Sequence, residues 1–295
     1  LSQAANAKPR LPGDLQNNRK LSAWLRVNAN QTVTLLVGKV ELGQGILTAV
    51  SQVCADELDI DFQRVQVISG DTALVPNEGV TAGSFSMPYC ATAVQYASAE
   101  VRSILLELAA EKLNQPVTSL SVQDGMILGS NGTRIAYWDL VLGESLNREA
   151  TGLVKPKPPH QHRYIGQSVH RIDLTPKILG EAKFVQEHRP TGLLFGHLVR
   201  PPTYAAKLLS ANVASVQKMP GVVKVVRNGS FLGVIAKREE QALAAANALN
   251  ASAEWEVEKK LPTHEGIFNW LRTTKPNRVI ETKIQPRLSA EASVK

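Results

Sequence analysis

Several things are scarce in this sequence, and each scarcity narrows the field of functions. Two cysteines, Cys54 and Cys90, stand in 295 residues with no Cys-x-x-Cys pair, so the chain cannot furnish a four-thiolate iron–sulfur cluster or a structural zinc site. Each falls on an apolar helical face, which predicts buried free thiols, although pairing cannot be deduced from spacing. Aromatic residues make up 5% of the chain, too few for a base-stacking surface on single-stranded nucleic acid. No apolar run approaches the roughly 18 residues needed to span a bilayer. No internal repeat, Walker A loop or GxGxxG dinucleotide fingerprint is present.

Charge is not scarce but is not focused either. The net charge is +7, from 33 basic and 26 acidic residues. The densest basic stretch, Lys155-Pro156-Lys157-Pro158-Pro159-His160-Gln161-His162-Arg163, has prolines that keep it extended. It reads as a linker or an interdomain anchor rather than a nucleic-acid groove. His160 and His162 lack an accompanying carboxylate pattern and read as solvated or interface histidines, not metal ligands. The chain opens on Leu1 rather than Met, which suggests processing or trimming, with residues 1–8 following a removed targeting segment.

Hydrophobic periodicity organises the rest. Residues 1–20 read as an irregular arm. Strands are predicted at 21–27, 32–37, 64–68 and 119–122, with helices at 46–58 and 89–113. Prolines and basic residues mark 151–170 as a linker. Beyond it, strands are predicted at 193–199, 222–226, 231–236 and 255–258, and an alanine-rich helix at 238–251. Residues 259–295 read as an exit linker. The order of elements is that of an α/β (α+β) chain in two domains, 21–150 and 171–258.

Two stretches share one design. Gly43-Gln44-Gly45 precedes the helix at 46, and Thr81-Ala82-Gly83-Ser84-Phe85-Ser86 precedes the helix at 89. The first N–H groups of a helix lack internal partners and favour negative charge. Glycines admit a ligand close to the backbone, and hydroxyls donate to phosphate oxygens. Either stretch is also what an ordinary tight turn or cap looks like. Residue types alone therefore reach an α/β protein with an anion site. Asp56 and Glu57, adjacent at a helix end, read as surface charges; Asp71-Thr72 reads as a brace for the glycine loop, and Glu41 as a residue that orients it.

A family resemblance goes further. Val37-Gly38-Lys39-Val40-Glu41-Leu42-Gly43-Gln44-Gly45-Ile46-Leu47-Thr48, followed by Gln52-Val53-Cys54-Ala55-Asp56-Glu57-Leu58 and Ser69-Gly70-Asp71-Thr72, closely resembles the molybdopterin-binding large subunit of the xanthine dehydrogenase and aldehyde oxidase family. The resemblance implies that Leu42, Gly43, Gln44 and Gly45 meet a pterin, and that the 81–86 segment (Thr81, Ala82, Gly83, Ser84, Phe85, Ser86) meets its phosphate, chiefly through Ser84 and Ser86. Many relatives have Met where Leu42 stands. Gly180-Glu181-Ala182-Lys183-Phe184, Arg200-Pro201-Pro202, Met219-Pro220-Gly221-Val222 and Val234-Ile235-Ala236 resemble the family's small α/β hammerhead domain. It would follow a mixed-sheet molybdopterin-binding domain here.

That order resembles the permuted branch, with isoquinoline oxidoreductase, nicotinate dehydrogenase and certain aldehyde dehydrogenases. The implied cofactor is molybdopterin with molybdenum, in its cytosine dinucleotide form. The implied partners are a separate small [2Fe-2S] subunit and a c-type cytochrome, and the implied location is periplasmic or periplasm-facing, with cytoplasmic as the alternative. The family's catalytic base is a glutamate near the end of a longer subunit. Neither Gly143-Glu144 nor Gly180-Glu181 matches its segment, so no catalytic residue is expected in this chain, which would be one piece of a split or cleaved molybdenum subunit completed by a further polypeptide, or a truncated one. A non-catalytic pterin or anion carrier is the alternative.

Overall fold

The computed structural model describes residues 9–140, 146–181, 184–257 and 262–276. Expectations placed on residues 1–8, Gly143-Glu144, Ala182-Lys183, Glu258 and the ends of the exit linker lie outside the described residues. The chain forms two units, Leu1–His188 and Arg189–Lys295, and mixes helices with small sheets as an α/β protein does.

The first unit is built around strand β2. β1 (Leu25–Val27) pairs antiparallel with β2 (Val33–Val37), and β3 (Val65–Ser69) lies parallel on its other side. All five residues of β2 are buried, the signature of a central strand covered on both faces. A parallel pair needs a crossover, and helix α1 (Ile46–Leu58) provides it. Helix α2 (Thr92–Leu113) packs on α1. Buried Ala93, Ala97, Ser98 and Val101 line α2, small residues that let the two helices approach. An antiparallel meander follows, β4 (Ser121–Gln123), β5 (Met126–Leu128) and β6 (Arg134–Ala136), closed by the short helix α3 (Tyr137–Leu140). Trp24, Leu35, Val50, Leu58, Leu105, Ile127 and Tyr137 form one continuous core.

Several expectations needed correction. Residues Leu21–Ala23 form a 3-10 turn rather than the start of a strand. The helix predicted from residue 89 begins with a π-helical turn, Ser86–Ala91. β5 and β6 carry too few residues to show a period and were not predicted.

The largest correction concerns Asp56 and Glu57, which are buried, not surface charges. The carboxylate of Asp56 accepts the backbone N–H groups of Arg163, Tyr164 and Ile165 at 2.8–3.2 Å. Glu57 accepts Lys157 N–H at 3.1 Å and the Gln95 amide at 3.1 Å. Lys157 turns inward as well, donating to Asp56 O at 2.6 Å and pairing with Asp59. Carboxylates at a helix C-terminus are disfavoured by the helix dipole. Here each is offset by hydrogen bonds from the proline-rich stretch, which is strapped along α1 rather than linking domains freely. Residues 171–181, with helix α4 (Leu174–Ile178), also group with the first unit, so the boundary lies at 188/189 rather than 170/171.

In the second unit, β7 (Phe195–Val199), β9 (Val222–Asn228) and β10 (Phe231–Ala236) form an antiparallel sheet in the order β7-β10-β9. β8 (Lys207–Ser210), not predicted, pairs with β11 (Glu254–Glu256). The short helix α5 (Val213–Val216) leads into β9. Ala242, Ala245, Ala246 and Leu249 of helix α6 (Glu239–Ser252) are buried, and the last three join Val199, Leu232 and Val234 in a second core. Part of the expected exit linker is helical, α7 (Ile267–Thr273). Among the described residues no helix is long and apolar enough to cross a membrane.

The strap yields a prediction. Asp56→Ala leaves three backbone donors without their acceptor and should lower unfolding stability by about 3–5 kcal/mol, whereas Glu111→Ala on an exposed face should stay within about 0.5 kcal/mol. Urea unfolding midpoints of the two variants check this; equal midpoints would contradict the strap's role.

Candidate functional site

Where β2 ends, the chain turns through Gly38 into the glycine loop. Gly43 and Gly45 adopt φ of 104° and 80°, a region that side chains rarely enter. Gly45 precedes the first residue of α1 and provides no side-chain cap. Glu41 does the capping instead: its Oε1 accepts Gly43 N–H and Gly45 N–H, each at 2.8 Å, and its Oε2 takes Leu47 N–H at 3.5 Å. The negative charge favoured at this helix start is therefore the protein's own. The Gln44 side chain folds back, accepting Leu42 N–H at 2.5 Å and donating to Val40 O at 3.0 Å.

The second loop is clamped to the first. Glu78 Oε2 accepts Gly38 N–H at 2.7 Å and Lys39 N–H at 3.0 Å. Lys39 returns its ammonium to Glu78 O and, at 3.0 Å, to Val80 O. Thr81 Oγ1 then accepts Val40 N–H at 2.9 Å, and Ser69 Oγ ties the end of β3 to Lys39 O at 2.8 Å. The brace expected from Asp71-Thr72 comes from Ser69; Asp71 Oδ1 instead accepts Ala73 N–H inside its own turn.

Beneath this clamp Asp14 lies beside the Glu78 carboxyl, with Lys39 Nζ 3.9 Å from Asp14 Oδ2. Burial pushes both carboxyls above their ordinary range. Asp14 Oδ2 and Glu78 Oε1 are buried without a hydrogen-bond partner. The Cys90 thiol, bonded to Glu78, is pushed up by burial, and that of Cys54 is pushed up by burial to about 12. Both cysteines are free and buried and inert as nucleophiles.

Past Thr81, Gly83 and Ser84 take φ of 64° and 59°. Such a backbone is strained at a non-glycine residue, and strain of this kind gathers at ligand sites. Ser86 opens the π-helical turn, another feature concentrated at functional sites. The two loops face one open pocket of about 460 Å³. Of the ten predicted site residues, Leu42, Gln44 and Gly45 line it from the first loop, and Thr81, Ala82, Gly83, Ser84 and Ser86 from the second. Gly43 shapes the loop from outside the lining. Phe85 turns away to meet Tyr89 edge-on, ring centroids 5.0 Å apart. Ile46, Ala49 and Met87 add an apolar wall that was not predicted, since each reads as ordinary helix sequence.

Among the described residues, the hydroxyls of Ser84 and Ser86 have no hydrogen-bond partner, and no lining side chain titrates near neutral pH. A pocket of small residues, an apolar wall and two uncommitted hydroxyls fits a flat polar group carrying an anion. Among the described residues its lining includes no carboxylate, imidazole, amine or thiol. No cluster of three metal-ligating side chains occurs among the described residues.

Comparison with known proteins agrees with this geometry. A family described as a molybdopterin cofactor-binding domain matches residues 4–170. One of the subunits of nicotinate dehydrogenase from Pseudomonas putida is 35% identical over 243 residues, 79% of this chain and 20% of that protein. The beta subunit of isoquinoline 1-oxidoreductase from Brevundimonas diminuta is 26% identical, covering 77% of this chain and 34% of that one. A membrane-bound aldehyde dehydrogenase (pyrroloquinoline-quinone) of Gluconacetobacter polyoxogenes is 26% identical, covering 86% and 34%. The chain thus spans between a fifth and about a third of the length of these curated relatives.

The two raised carboxyls generate a pH prediction. Because the folded values of Asp14 and Glu78 are raised, the stability they contribute is full below about pH 4, the range of free carboxyls. It is lost as pH rises through the folded values. The stability of the unsubstituted chain relative to Glu78→Gln should therefore decline from about pH 4 towards neutrality. Parallel urea midpoints across that range would contradict the raised folded values.

Proposed function

The chain belongs to the molybdopterin cofactor-binding domain family, and from that premise we propose that it is the cofactor-holding part of a molybdenum-dependent oxidoreductase. The observation that carries this reading is the single pocket faced by both loops. In it the Ser84 and Ser86 hydroxyls donate to the cofactor's phosphate, while Leu42 and Gln44 border the pterin and Gly45 keeps the wall thin. The small residues at 82 and 83 let the backbone approach, and Ile46, Ala49 and Met87 exclude water from the flat face. When bound, the molybdenum–pterin group supplies the two-electron redox chemistry by which an aldehyde or an N-heteroaromatic compound gains an oxygen derived from water.

The finer features follow from the family resemblance of the sequence. The cofactor is the cytosine dinucleotide form. The family's catalytic glutamate belongs to a part of the molybdenum subunit other than residues 1–295. Electrons leave to a separate small [2Fe-2S] subunit and then to a c-type cytochrome, in a periplasm-facing complex. The second unit, from Arg189, is the hammerhead domain that the sequence resemblance starts at residue 171.

Metal and pterin analysis of the complex purified with this chain is the test. The complex should contain molybdenum and pterin, and Ser84→Ala with Ser86→Ala should lower both by about tenfold or more, the effect of losing two hydrogen bonds to a charged group. Absence of both from the unsubstituted complex, or their full retention in the variant, overturns the assignment. Cofactor without hydroxylase activity in any complex would instead identify a carrier.

A further inference from the structure

Arg171 is the first residue past the span that the family comparison matches, and it is not among the residues that line the pocket. Its guanidinium nevertheless reaches back 128 residues, donating from Nη1 to Gly43 O at 3.0 Å. It lies against Gly45 closely enough that a Cβ there would sit 3.5 Å from Arg171 Cζ and Nε. Its Nη2 is 3.8 Å from Glu41 Oε1. The other edge of the fork is fixed by Asp173, with Nε to Oδ1 at 3.0 Å and Nη2 to Oδ2 at 2.7 Å. Asp173 is itself buried and held by Lys177 Nζ at 2.5 Å. These hydrogen bonds to Arg171 and Lys177 keep the Asp173 carboxyl well below the usual carboxylate range.

We infer that Arg171 and Glu41 act as a pair that positions the glycine loop for the cofactor. The inference rests on the function proposed above. Glu41 collects the loop's donors, the N–H groups of Gly43, Gly45 and Leu47. Arg171 takes the carbonyl of Gly43 between them and balances the charge that Glu41 brings. With these backbone groups committed, the loop offers Leu42, Gln44 and the bare Cα of Gly45 to the ligand. Gly43 and Gly45 are thus shaping residues; their N–H groups are committed to Glu41 and not to the pterin. The task requires arginine. A planar fork fixed along one edge by Asp173 keeps a directed donor for Gly43 O, whereas an ammonium has no second edge to aim. Neither Arg171 nor Glu41 lines the pocket, so both are positioning residues.

The test combines amide hydrogen exchange with cofactor retention, on the complex purified with the full chain. Arg171→Ala should accelerate exchange at the Gly43, Gly45 and Leu47 amides about tenfold, the scale set by losing one charge-assisted hydrogen bond. Exchange within α2 should stay unchanged, and molybdenum and pterin should dissociate faster on dilution. Arg171→Lys keeps the charge and guards against a folding failure; it should behave like Arg171→Ala rather than rescue the loop. In a double-mutant cycle with Glu41→Gln the effects should be less than additive, because the two residues hold one loop. Unchanged loop exchange in Arg171→Ala, full rescue by lysine, or strict additivity overturns the inference. If the unsubstituted complex holds neither molybdenum nor pterin, the proposed function fails by itself, and the exchange data still decide whether the pair orders the loop.

Discussion

The site depends on one reciprocal clamp between segments about forty residues apart. As β2 leaves its sheet, the backbone donors of Gly38 and Lys39 lose their strand partners, and the buried carboxyl of Glu78 accepts both. Lys39 answers by binding the carbonyls of Glu78 and Val80. An unpaired buried donor costs about 1–3 kcal/mol, so neither segment is stable in this place without the other. Once Glu78 is seated, Thr81 meets Val40, and the left-handed step at Gly83 and Ser84 brings the Ser84 and Ser86 hydroxyls to the pocket opposite the glycine loop. The pocket is a consequence of satisfying the end of a strand.

The same logic repeats along α1. Asp56 and Glu57 would be a liability at a helix C-terminus and in a core. They become an anchor because the proline-rich stretch from Lys157 to Ile165, which holds a 3-10 turn at Pro159–Gln161, brings unpaired N–H groups to them. Glu41 does at the start of α1 what Asp56 does at its end. A helix held at both ends by its own and its neighbours' carboxylates gives the pocket a rigid floor, which a loosely docked helix could not.

How much of this the sequence revealed follows from range of interaction. Elements with a clear period were readable: α1 was placed at its observed bounds, and β10 likewise, because apolar spacing there is undisturbed. The glycine loop and the 81–86 segment were found as candidates through local chemistry and family resemblance, and the structure brings eight of those ten residues to one pocket. What escaped depends on partners distant in sequence. Glu78, between Asn77 and Gly79 in an aperiodic loop, carries no signal of its role. Asp56 and Glu57 read as surface residues because acids usually are; their acceptor role is visible only once residues 157 to 165 are in place. Arg171 fell at a presumed domain start, and nothing near it in sequence points to Gly43.

A structural claim and a functional one meet at this pocket. Structurally, two loops are locked around one pocket, in which the Ser84 and Ser86 hydroxyls have no hydrogen-bond partner among the described residues. Functionally, that pocket is the proposed pterin end of a molybdenum site. The most direct measurement is an experimental structure of the complex purified with this chain. It should show the cofactor in the pocket, with phosphate oxygens within hydrogen-bond distance of Ser84 and Ser86 and the pterin beside Gln44. A cofactor bound elsewhere, with both hydroxyls left to solvent, would contradict the functional claim.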